Sequence, residues 1–160
     1  MSSNLVAAPQ HDSMNQFATV SNQLTLSGFN LSQISAMLGN DVFYAYDKAV
    51  IAQQVERFRS FIPARIKLHY AVKANPNAAV VNFMRPLVDG FDVASQKEML
   101  LAMQSGMPVA DISFAGPGKT DAELLSAITA GVTLNVESAS ELARICGIGK
   151  DCGKTPMVAL

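Results

Sequence analysis

Residues 112–136 read ISFAGPGKTDAELLSAITAGVTLNV, and how this stretch divides decides the fold. A short apolar run at 112–115 leads into a Gly- and Pro-rich turn. Thr120-x-x-Glu123 then has capping-box spacing, in which the hydroxyl accepts from the N3 amide and the carboxylate reaches back to the cap amide. An apolar helix follows as far as Gly131, where a left-handed cap is easiest for glycine. A second apolar run starts at Thr133. Strand, capped helix, glycine, strand is one βα unit.

Outward from this stretch the pattern repeats. Apolar runs lie at 66–72, 91–94, 112–115, 133–136 and 157–160, and the middle three begin 21 residues apart, at 91, 112 and 133. Ser95-x-x-Glu98 and Ser138-x-x-Glu141 repeat the helix-start signature, and Gly106 closes another helix. Units this short need right-handed crossovers and a parallel sheet, and run-like apolar strands agree with burial on both faces. A TIM-type barrel and an open doubly wound sheet both fit. The barrel is favoured, because the units are compact and no Gly-x-Gly-x-x-Gly follows the first strand. The expected class is therefore α/β, a partial (β/α)8 barrel of four to five βα units.

Upstream, residues 24–26 look like a short strand ending in a Ser27-Gly28 turn. Leu31, Ile34, Met37 and Leu38 have helical spacing up to Gly39, and VFYAY at 42–46 reads as a strand. Asp47 caps a helix with an apolar face of Ile51, Val55, Phe58 and Ile62, stopped by Pro63. The expected organisation is a flexible tail at 1–23, an opening helix and strand at 24–47, and the barrel portion at 48–160. Since the last run breaks off inside a strand and a barrel needs eight, the chain reads as the amino-terminal part of a longer protein.

Composition removes several function classes. Of 160 residues, 49% are hydrophobic and 16% charged, with a net charge of -1, which describes an ordinary globular chain. The Lys and Arg between Lys48 and Lys97 are scattered, so neither nucleic acid nor an anionic membrane is an expected partner. The start lacks the basic and apolar regions of a signal peptide, and no apolar stretch approaches the ~18 residues of a membrane span. The expected location is cytoplasmic. Cys146 and Cys152, with five residues between them, match neither a redox pair nor a zinc half-site, so reduced thiols and no metal are expected.

Chemistry centres on Lys73 in the run HYAVKANPN, residues 69–77. Side chains alternate along a strand, so His69, Ala71 and Lys73 share one face. In a barrel that face is the interior, with Lys73 uppermost at the carboxyl end, where barrel enzymes place their catalytic groups. The small Ala71 leaves space beneath it. A partly desolvated lysine offers a neutral amine for imine chemistry, whereas a plain strand-end lysine simply reaches for water. Residues 116–120, GPGKT, invite a phosphate-loop reading, but that motif needs glycine where Ser113 stands. His69 reads as a packed interior histidine, and His11 carries no signal.

HYAVKANPN closely resembles the cofactor-lysine motif of the fold-type III pyridoxal-phosphate-dependent decarboxylases, the group acting on diaminopimelate, ornithine and arginine. FDVAS at 91–95, ISFAGPGKT at 112–120 and NVES at 135–138 with Glu141-Leu142 are similar to the family's second, third and fourth strand motifs, in order. FYAYD at 43–47 resembles the family's entry strand, which lies ahead of the barrel and pairs with a separate carboxyl-terminal β-domain. The wording at 116–120 leans toward diaminopimelate decarboxylases, especially the branch that accompanies exosortase systems.

The resemblance implies pyridoxal 5'-phosphate as cofactor, Lys73 as its catalytic attachment lysine, and Asp92 and Glu98 as further cofactor-binding residues. Position alone explains Glu98 equally well as a cap. The implied function is decarboxylation of a basic or diamino acid, diaminopimelate-like, by a homodimer. The alternatives are a racemase or cofactor carrier of the same barrel, or a non-catalytic regulatory homologue. The Ala74-Asn75-Pro76-Asn77 turn does not resemble the racemase pattern. In the family, the partner of the pyridine nitrogen, a ring-stacking histidine and a glycine-rich phosphate loop come from later strands, and a cysteine segment comes from the partner subunit. None is in this sequence, so residues 1–160 alone are expected to be inactive.

Overall fold

A computed structural model of the chain describes residues 16–40 and 42–160. Two compact units meet inside one helix, at Gln54 and Val55, rather than at 47/48.

In the first unit, β1 (Ala18–Val20), β2 (Gln23–Leu26) and β3 (Phe29–Asn30) form an antiparallel meander. Two-residue loops at Ser21-Asn22 and Ser27-Gly28 join them, with φ of 49°, 60°, 50° and 85°. Positive φ at both central positions matches the right-handed strand twist. The expected tail at 1–23 is thus corrected over 18–23, where backbone pairing with β2 orders the chain; its first 15 residues lie outside the described part. Helix α1 (Leu31–Leu38) opens on a capping box of Asn30 and Gln33 and closes at Gly39, φ 63°. The expected strand at 42–46 is not formed. Val42 and Tyr44 are 82% and 94% exposed, and a strand needs a ladder partner that this segment lacks among the described residues. Asp47 accepts from the Ala49 and Val50 amides at 2.8 and 3.4 Å and from the Ser27 amide and hydroxyl at 2.8 and 3.0 Å. Partial burial works against its charge, but the Ser27 and helix-amide hydrogen bonds outweigh it and hold the carboxyl below its usual value. Asp47 thereby caps α2 (Lys48–Phe61). The apolar face expected of α2 is only partly covered, since Phe58 stays 52% exposed.

The second unit carries the regular repeat. Strands β4 (His69–Ala71), β5 (Gly90–Val93), β6 (Ile112–Phe114), β7 (Thr133–Asn135) and β8 (Val158–Ala159) form one parallel sheet in that order. Helices α3 (Ala78–Met84), α4 (Gln96–Gln104), α5 (Asp121–Ala130) and α6 (Ala139–Asp151) make the crossovers. A doubly wound sheet reverses its order at a switch point; this one never does, as in the wall of a barrel. Phe91, Val93, Ile112, Phe114 and Leu134 point to the helices and are at most 1% exposed, packing with Val81, Met99, Leu124 and Ile145. Each such side chain contributes about 1.5–3 kcal/mol on burial.

The opposite face departs from the expected burial on both sides. It carries His69, Ala71, Asp92, Ser113, Thr133 and Asn135, all half-buried and mostly polar. His69 packs over Gly90, where an added Cβ would meet the Asp111 carbonyl and lie 2.5 and 2.6 Å from the imidazole Cε1 and Nε2. The amino end of β4 is anchored by Asp89, which accepts from the Leu68 amide at 2.7 Å and from Arg59 at 3.0 Å. The Arg59 guanidinium, then that amide, hold its carboxyl below the usual range. Among the described residues, no helix is long and apolar enough to cross a membrane.

Candidate functional site at the carboxyl edge of the sheet

Strand β4 ends two residues before Lys73, a correction to the expected strand-end placement. Val72, fully buried, turns its side chain into the core, and the Asn75 amide donates to the Val72 carbonyl at 3.1 Å, closing a 3-10 turn over Val72–Ala74. The core's hold on Val72 lifts Lys73 out of the strand into solvent, so it is exposed rather than partly desolvated. Among the described residues no side chain or carbonyl bonds to its amine.

Asp92 lies directly across from Ala71, and Ser113 directly across from Asp92. The Ser113 hydroxyl donates to Asp92 Oδ1 at 2.9 Å. Two residues beyond the Ala71–Asp92 pair come Lys73 on one side and Ala94 on the other. Glu98 acts on the latter, because its Oε2 accepts from the Ala94 amide at 2.9 Å while its own amide donates to Ser95 Oγ at 3.2 Å. The Ser95 box is therefore half of the expected motif. The structure sets Asp92 and Glu98 on strand and helix positions flanking the level of Lys73, with no direct bond from either to it.

The next loops are tied by a relay of carboxylates. Thr120 and Glu123 form the full capping box, and Glu123 Oε1 also accepts from the Gln96 amide of the preceding unit at 3.2 Å. The Thr120 amide, opposed by partial burial, and then the Gln96 amide keep the Glu123 carboxyl below its usual value. Glu137 accepts from the Gly116 amide at 2.6 Å. Glu141, expected to complete a box on Ser138, turns away to Lys119 at 2.8 Å, with both side chains almost fully buried. The same ammonium donates to the Gly116 and Asn135 carbonyls at 2.8 Å each. An ion pair buried this deeply is tolerated only when its remaining donors are satisfied, and here all three are.

Sequence reasoning missed Lys119. Neither the rejected phosphate-loop reading of 116–120 nor the likeness of 112–120 to a family strand motif gives this lysine a partner, and that partner, Glu141, lies one unit downstream. The signal was the lysine itself, on a loop between two apolar strands. The two lysines at this edge thus have opposite states. Lys119 is committed on three sides, and Lys73 is a primary amine without a partner among the described residues. Among those residues no group of three or more His, Cys, Asp or Glu could hold a metal ion, and Cys146 and Cys152 are free and exposed.

Comparison with known proteins gives the following likenesses. A decarboxylase of Staphylococcus aureus acting on 2-[(L-alanin-3-ylcarbamoyl)methyl]-2-hydroxybutanedioate is 34% identical over 131 residues, 81% of this chain and 32% of that one. Diaminopimelate decarboxylase of Aquifex aeolicus is 33% identical over 139 residues, 86% of this chain and 33% of that one. The crystal structure of diaminopimelate decarboxylase from M. jannaschii in complex with L-lysine superposes with a TM-score of 0.77 at 28% identity, over 89% of this chain and 35% of that one. The chain spans about a third of the length of these relatives. The family pattern described as pyridoxal-dependent decarboxylase, pyridoxal binding domain, matches residues 48–157. Its sheet order, its motifs and this match place the chain in the pyridoxal-dependent decarboxylase family, within the cofactor-binding domain.

Proposed function

We propose that the protein carrying this chain decarboxylates an amino acid of the diamino class, diaminopimelate-like, with Lys73 as the attachment point of pyridoxal 5'-phosphate. The single observation that carries this is the free amine of Lys73 at the carboxyl edge of the sheet, an edge where the amine of Lys119, two strands away, is buried and fully bonded. The donor set fits the cofactor at that point. When bound, pyridoxal phosphate supplies an aldehyde that captures amines and a ring that accepts the electron pair left by departing carbon dioxide.

The chain's own residues do the rest of what can be assigned. Lys73 binds through its amine. Asp92, one row below on the same face, orients what is attached above Ala71. Glu98 fixes the Ala94 turn with one carboxylate oxygen and would serve the cofactor through that turn. The relatives' names support the substrate class: several are diaminopimelate decarboxylases, and those of M. jannaschii and Helicobacter pylori were solved with L-lysine, a diamino acid, in the crystal. The reading includes a cytoplasmic homodimer of about the relatives' length, with residues 1–160 alone inactive.

The test is labelling and turnover. Borohydride reduction of the protein with pyridoxal phosphate should leave a pyridoxyl label that peptide mass spectrometry finds on Lys73, and Lys73→Ala should abolish both label and carbon dioxide release. A label spread over surface lysines overturns the assignment. Racemised substrate without carbon dioxide overturns the reaction class, and turnover of diaminopimelate by residues 1–160 overturns the expectation for the chain alone.

A further inference from the structure

Resting on the reading of Lys73 and Asp92 above, we propose that Ser113 is a positioning residue that acts on the cofactor site through the Asp92 carboxylate. Ser113 stands between Ile112 and Phe114, each 1% exposed, so its strand is held rigidly by the core. Its own side chain faces the other way, onto the row formed by Ala71, Asp92, Ser113 and Thr133. Within that row the hydroxyl donates to Asp92 Oδ1 at 2.9 Å.

An aspartate carboxyl turns easily about its last torsion, which is broad and two-fold. On the β4 side, Ala71 presents a methyl group that can neither donate nor accept. Among the described residues, Ser113 is therefore the side chain that fixes which way the Asp92 carboxylate faces. With Oδ1 held toward β6, Oδ2 is the oxygen left for the β4 side, where Lys73 follows two residues after Ala71. The 2.9 Å contact makes the role of Ser113 directional.

The experiment is a double-mutant cycle in the protein carrying this chain, read by the visible circular dichroism of bound pyridoxal phosphate, its pH profile, and kcat against KM. The dichroic band reports how the ring is held, which a merely structural residue would not move. Ser113→Ala should weaken the band, shift its pH profile and lower kcat about ten-fold or more, the scale of a lost hydrogen bond to a charged group, with KM little changed. Ser113→Thr, which keeps the hydroxyl, should restore all three. In an Asp92→Ala background, which removes the acceptor, Ser113→Ala should add almost nothing, since the two act as one unit.

Additive effects of the two substitutions, or an unaltered band and pH profile in Ser113→Ala, overturn the inference. Should Ser113→Ala fail to fold, Ser113→Cys, of similar volume and with a weak donor, is read against the same criteria. If Lys73→Ala keeps the band, the cofactor assignment fails on its own. If Lys73→Ala loses the band while Ser113→Ala leaves it intact, only the role of Ser113 falls.

Discussion

Two lysines show how context sets a residue's part. Lys119 lies in a glycine-rich loop yet is among the most buried polar residues, bonded to Glu141 and to two carbonyls. Removing one member of such a pair strands the other charge in a poorly solvated place, so Lys119→Met is expected to cost about 3–5 kcal/mol. Replacing both, as Lys119→Met with Glu141→Leu, should recover part of that, leaving the two carbonyls short of a donor. Urea unfolding midpoints of the three chains check this, and an unchanged midpoint in Lys119→Met would show that the ammonium holds nothing. None of it was legible in the sequence, because the partners are 22 residues apart in different βα units. Lys73 was legible as a residue of interest. Its exposure was not, because the pull of Val72 into the core is a tertiary effect that alternation along a strand does not express.

At the scale of elements, the Ser/Thr-x-x-Glu spacing marked three helix starts, and all three hydroxyls accept from the N3 amide. The carboxylates are where spacing stopped being informative. One completes its box, one moves to the amide before the cap, and one is drawn off by a buried lysine. A local rule cannot foresee a stronger charge arriving from another unit. Thr120→Ala should cost about 1 kcal/mol of stability, the usual worth of a cap, measured by denaturant unfolding. Glu123 sets a pH dependence as well. Its folded carboxyl titrates below the unfolded value of about 4.3, so its contribution is complete above that pH and is lost as the pH falls through the lower folded value. Glu123→Gln should flatten that part of the acid limb in a stability-versus-pH profile; an identical limb in both proteins would exclude this carboxylate as its source. The aromatic segment at 42–46 gave the opposite error. Its composition suits a strand, but composition supplies no partner, and pairing decides.

At the scale of the whole chain, the repeat was readable because each βα unit carries its own punctuation: apolar run, hydroxyl cap, glycine. What period and composition could not supply was the polarity of the second sheet face, since alternation within three-residue strands is too short to separate from a run. The helix side remains the source of stability. Phe91→Ala should destabilise the second unit by about 3–5 kcal/mol, seen as one cooperative shift in thermal unfolding; an isolated loss at β5 alone would mean that the units melt independently. The even spacing of the strands also bears on how the molecule comes into being. Paired residues lie 21 apart between β4 and β5 and between β5 and β6, 20 apart between β6 and β7, and 24 apart between β7 and β8 (His69 with Gly90, Phe91 with Ile112, Ser113 with Thr133, Leu134 with Val158). Closing each loop then costs nearly the same chain entropy, within about 0.2 kcal/mol. No pairing within the sheet has to wait for a distant segment, so a chain emerging from the ribosome can add one strand at a time onto the strand before it, each step as easy as the last.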